Sequence, residues 1–120
     1  MTRYTIVLEG ERPPSLNQWL SKHWRVRDND KRRIGELVSL TAPHDTPRPI
    51  PRPVSITVTA YFDKRLYDSD NIAVKAYIDG LRKAGILPDD TPQYVTSVTA
   101  ISKTDRYRPR VEIEISEVIE

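Results

Sequence analysis

Nine residues of alternation, followed by a helical period, constrain this chain more than any other feature. In residues 54 to 62, VSITVTAYF, Val54, Ile56, Val58, Ala60 and Phe62 alternate with Ser55, Thr57, Thr59 and Tyr61. A period of two predicts a strand with one buried face. Further on, Val74, Tyr77, Ile78 and Leu81 fall at i, i+3, i+4 and i+7, an apolar stripe along a helix. Asn71, Lys75, Asp79 and Arg82 fall on another face. Gly85, just after Arg82 and Lys83, predicts the helix stop. Asp70 is the expected N-cap, because a carboxylate suits the positive end of a helix. The connecting loop therefore carries Asp68 and Asp70, and an extended backbone directs residues two apart to the same side. Loops of this kind commonly carry sites on a rigid scaffold.

The remaining elements follow in order. Tyr4, Ile6 and Leu8 share one face of a first strand over residues 4 to 8. Pro13 and Pro14 then break regular structure, and Asn17, Trp19 and Trp24 lie in an irregular segment. The two tryptophans read either as core residues or as platforms for unpaired bases. A helix is expected from Asp28 or Asp30 to about Leu40, with Ile34, Leu37, Val38 and Thr41 as its buried stripe. Pro43 ends it. Residues 43 to 53 hold Pro43, Pro47, Pro49, Pro51 and Pro53, an extended connection. After the second helix, residues 94 to 102 and 111 to 116 read as strands, joined as an antiparallel hairpin through KTDRYRPR. The order is β-α-β-α-β-β, which gives a single α/β (α+β) domain over 1–120 with a mixed sheet and two main helices.

Charged residues make up 30% of the chain and hydrophobic ones 38%, which suits a folded globular protein rather than a disordered one. No apolar run is long enough for a membrane span or a signal peptide. The chain has no cysteine, which excludes disulfides and cysteine-ligated zinc and fits a cytoplasmic setting. His23 and His44 have no ligand partner at helical spacing. The net charge of +2 hides two basic groups. One holds Lys22, Arg25, Arg27, Lys31, Arg32 and Arg33; the other holds Lys103, Arg106, Arg108 and Arg110. Each reads either as a solvated face or as a surface for a nucleic-acid backbone.

The stretch DSDNIAVKAYIDGLRKAGILPDD, residues 68 to 90, carries the chemistry. It opens on Asp68, Asp70 and Asn71 and closes on Asp89 and Asp90, an oxygen-rich set suited to a hard divalent cation. Lys75 lies between the two acidic pairs. This stretch, with PPSLN at residues 13 to 17 before it and residues 91 to 98 after it, resembles the RusA family of Holliday junction resolvases, endonucleases common in phages and prophages. The resemblance covers most of the chain. It implies a homodimer that resolves four-way DNA junctions in recombination and repair by paired nicks. The implied cofactor is Mg²⁺, with Mn²⁺ as the substitute, and the implied setting is a bacterial or phage-infected cell. Asp68, Asp70 and Asp90 match the family's catalytic, metal-holding aspartates, and Lys75 matches its helix lysine. Here the lysine follows the asparagine by four residues rather than three, a shift that turns a helical side chain by about 100°.

In that scheme Lys75 stabilises charge on the phosphate. Asn71 positions a ligand or caps the helix start, and Asp89 supports the first ligands or faces solvent. Lys22, Arg25, Arg27, Lys31, Arg32, Arg33, Lys103, Arg106 and Arg108 are the expected DNA contacts. Two other classes fit part of the pattern: a metal-dependent enzyme acting on another phosphate substrate, and a DNA-binding module without catalysis. The scarcity of glycine (4 residues) and the lack of a glycine-rich phosphate loop argue against nucleotide binding.

Overall fold

The alternating segments become four strands of one mixed sheet in the computed structural model, which describes residues 2–64, 68 and 71–118. The elements are β1 (Arg3–Glu9), α1 (Leu16–Ser21), α2 (Trp24–Thr41), β2 (Val54–Phe62), α3 (Val74–Lys83), β3 (Val95–Thr104) and β4 (Arg110–Glu117). The main elements follow the expected order, with the short α1 added. The sheet order is β1-β4-β2-β3. β4 is antiparallel to both β1 and β2, whereas β2 and β3 are parallel and joined through α3. A parallel pair needs such a crossover, because no tight turn can join strands running the same way.

Register explains which face is buried. Ile6 opposes Ile113, which in turn opposes Val58, and all three are fully buried. On the opposite face Thr5 and Thr57 both oppose Glu114. Thr5 is exposed, and Thr57 and Glu114 are half-buried. The core lies between the apolar face and the helices, where Tyr77 and Leu81 of α3 meet Ile34 and Val38 of α2. The proline-rich connection anchors on buried Ile50, whose N–H donates to the Ile86 carbonyl at 3.0 Å.

Four expectations need correction. β3 and β4 do not form a hairpin, because β2 lies between them. The turn after β3 is fastened to the end of β2: Asp105 N–H donates to the Phe62 carbonyl at 2.9 Å, and the Arg110 guanidinium stacks 3.7 Å over Tyr61. That leads β4, whose inward residues are fully buried, into a central position, and leaves the Ser- and Thr-rich β3 at an edge. α2 begins at Trp24, before Asp28, because His23 serves as N-cap and its Nδ1 accepts from Arg25 N–H at 3.2 Å. At its other end Thr41 is exposed, and its hydroxyl donates to the Leu37 carbonyl at 2.6 Å instead of joining the core.

α3 also starts later than expected. Asp70 lies outside the described residues, and the cap position falls to Ala73, which makes no side-chain cap bond. Ile72 and Ala73 are held by the PPSLN segment instead: Ile72 bridges to Ser15, and Ala73 N–H donates to the Pro14 carbonyl at 3.0 Å. Gly85, at φ +80°, ends α3 as expected, with Ile86 N–H returning to the Leu81 carbonyl at 3.0 Å.

Candidate functional site

Helix α3 is short of solvent on most sides. Residues Ala76 to Leu81 are all buried, Asp79 among them. The reason is a close crossing with α2. A Cβ built on Gly80 would lie 2.6 Å from Ile34 Cγ2, so only glycine permits this approach. The crossing covers Asp79, whose side chain is 6% exposed, and brings Lys31 of α2 to 3.0 Å from it.

A buried carboxylate is costly unless paired. Asp79 has three cationic partners: Lys31 on Oδ2, and Lys75 and Arg82 on Oδ1, both at 3.4 Å. The sequence places Asp79 on a surface face with Lys75, and this was the main feature that reading missed. The signal was present in the adjacent Gly80, which marks a close helix approach, and in cations placed four before and three after the acid.

Asp90 returns to this cluster from the loop after α3. Its Oδ2 accepts from Lys75 Nζ at 2.9 Å and lies 3.6 Å from Arg82 Nη1. Lys75 and Arg82 therefore each touch both Asp79 and Asp90. The hydrogen bond from Lys75, helped by its charge, lowers the Asp90 pKa below the ordinary carboxylate value. The same bond to Asp90 raises Lys75 above the usual 10.5, and burial offsets this only in part. Lys75 is thus a firm cation at neutral pH. Asp89 accepts from Asp90 N–H at 2.7 Å and shapes the turn.

Of the expected site residues, Asp90 and Lys75 meet. Asp68 is exposed on the entering loop, where its carbonyl accepts from Asn71 N–H at 2.9 Å. Among the described residues, which exclude Asp70, no three His, Asp or Glu side chains gather as a group that could hold a metal ion. Asn71 caps a helix, but a different one: its Oδ1 accepts from Asn17 N–H at 3.2 Å, at the start of α1. The residues between Asn71 and Val74 lie ahead of α3, and Lys75 is the second residue of the helix.

The expected basic surface divides. Arg33 holds Glu11 through two hydrogen bonds, at 2.7 and 3.1 Å, and the buried Tyr77 hydroxyl donates to the same carboxylate at 3.0 Å. Arg32 pairs with Asp28 at 3.1 Å. Arg108 is engaged by Glu9, and Arg110 by Asp105 and Glu112. Lys22, Arg25, Lys103 and Arg106 remain exposed. Trp19 is buried, with Arg27 and Lys31 over its ring, while Trp24 is 58% exposed beside Arg25.

No family model matches the chain, and no curated protein is significantly similar to it. Among the described residues no helix is long and apolar enough to cross a membrane.

Proposed function

We propose that the protein is a Mg²⁺-dependent endonuclease of the RusA type that nicks four-way DNA junctions. The observation that carries this reading is the meeting of Lys75 and Asp90, fifteen residues apart in sequence, at 2.9 Å. The middle and the end of the family-like signature thus share one place, next to the helix that the Asp68 loop enters. Asp68, Asp70 and Asp90 are all oxygen donors, and Asp90 is partly open to solvent, which suits a hard cation that keeps several waters. These three would hold the ion, which when bound polarises the phosphate and lowers the pKa of a coordinated water.

The chain's own contribution is electrostatic. Lys75, kept protonated by Asp90, offers a fixed positive charge to a phosphate and cannot serve as a general base at neutral pH. Asp79 and Asp90 together hold its long side chain in place. Lys22, Arg25, Lys103 and Arg106 supply exposed positive charge for the DNA backbone.

The test is Asp70→Asn, assayed on a labelled four-way junction in Mg²⁺. The parent should give paired nicks, and the variant should bind the junction without cutting it. Cleavage by Asp70→Asn at the parental rate would overturn the assignment. A parent that binds but never cuts would favour the DNA-binding module, and a parent indifferent to junctions would favour another phosphate substrate.

A further inference from the structure

The α2–α3 crossing leaves a cleft of about 390 Å³ beside the Lys75–Asp90 pair. Among the described residues its lining is almost entirely charged: Lys31, Lys75, Arg82 and Lys83 face Asp28 and Asp79, with Pro88 the sole uncharged residue. A site for an organic ligand is mostly apolar with a few placed polar groups. This one has the opposite character, which leaves a small anion as the matching occupant.

We propose that this cleft is a subsite for one phosphodiester of a nucleic-acid backbone, taken by Arg82 and Lys83 with Lys31 behind them. Asp79 is the organising group. One buried carboxylate needs one cation to offset it, yet three converge on it. Its role is to hold the cations in place while their remaining donors turn to a ligand. Both contacts of Arg82 run through Nη1. Among the described residues its Nε and Nη2 make no hydrogen bond, which keeps part of a fork suited to phosphate available. Among the described residues the Lys83 ammonium has only a long ion-pair contact, 3.8 Å, to Asp28. Lys31 is held between Asp79 and the Trp19 ring, 5.7 Å away. The subsite adjoins Lys75, so it would seat a phosphate beside the one on which the proposed chemistry acts.

This inference rests on the nucleic-acid reading but not on the cleavage step. The experiment is binding of a four-way junction in EDTA, followed by fluorescence anisotropy across a salt series. The full chain is compared with Arg82→Gln/Lys83→Gln and with Arg52→Gln, which removes a cation from the proline-rich connection. Each phosphate contact contributes a slope of about 0.9 in log affinity against log salt. Losing one should flatten the slope by about 1 and weaken binding roughly eightfold at 0.1 M salt. Arg52→Gln should keep the parental slope. A titration with inorganic phosphate should also shift the Arg82 Nε–H resonance and leave that of Arg52 in place. If the double variant keeps the parental slope, or phosphate leaves Arg82 unmoved, the subsite is refuted. Failure of the junction to be cut in Mg²⁺ while the slope still flattens would sink the nuclease and leave the subsite standing.

Discussion

Replacing Gly80 by alanine sets two effects against each other. Inside an exposed helix the exchange stabilises by about 1 kcal/mol, because glycine loses more backbone freedom on folding. Here the new Cβ would lie 2.6 Å from Ile34 Cγ2, and 3.2 Å from both Ile34 Cβ and Gly35 N. Carbon contacts settle at about 3.5–4.0 Å, so the helices must part by roughly 1 Å. Ile34 cannot swing aside: it is fully buried, and a β-branched residue in a helix has one strongly preferred rotamer. Overpacking of this kind costs about 1–3 kcal/mol. With both a stiff side chain and a backbone atom in the way, the upper end applies. Subtracting the propensity gain leaves a net loss of about 2 kcal/mol. Urea denaturation followed by far-UV circular dichroism should show a lower midpoint at unchanged slope. Gly35→Ala meets Lys83 Cβ at 3.0 Å and should cost less. A Gly80→Ala protein as stable as the parent, or more so, would show that the crossing yields freely and that Asp79 is not locked beneath it.

Three further outcomes follow. Glu11→Ala removes the acceptor of the buried Tyr77 hydroxyl while Arg33, 46% exposed, turns to water; the loss should be about 2 kcal/mol, and about 1 kcal/mol smaller in a Tyr77→Phe background. A double-mutant cycle showing no coupling would break that link. Asp90 has a depressed folded pKa, so its contribution to stability is present above the ordinary carboxylate value of 3.8 and fades as pH falls through the depressed one. Asp90→Asn should remove that acid dependence and return the Lys75 pKa toward 10.5, read from its side-chain carbon resonances; an unmoved Lys75 would place its main partner elsewhere. Finally, two symmetric cuts call for two sites, so light scattering should give about twice the 13.8 kDa chain mass. A monomer that stays monomeric on a four-way junction would favour single nicks.

The strands that alternate cleanly were legible because a single buried face writes its period into the sequence. The segment from Val54 to Phe62 is such a case, and its bounds match those of β2. Pairing order carries no such mark. Nothing in the alternation of Val111, Ile113 and Ile115 says that β2 rather than β3 lies beside them. The contacts that accompany that order, Asp105 N–H on the Phe62 carbonyl and the Arg110 guanidinium over Tyr61, lie in a stretch that reads in sequence as a basic turn. The start of α2 was hidden for a similar reason, since His23 caps it through a ring nitrogen and histidine is not a usual capping residue.

The site divides along the same line. Its local part, the pairing of Lys75 with Asp79 four residues on, can be read from the sequence because it acts at helical spacing. Its collective part, the three cations on Asp79, exists only once α2 and α3 cross. Lys31 is forty-eight residues from Asp79, and nothing in its surroundings separates it from Lys22 or Arg32. What selects it is Gly80, which brings the helices close enough for an ammonium on α2 to reach a carboxylate on α3 at 3.0 Å. A larger residue at position 80 would leave every charged side chain in the sequence unchanged and still take the cluster apart. The identity of that one small residue, more than the count of basic ones, therefore decides whether this surface is a solvated face or a place where a phosphate can be held.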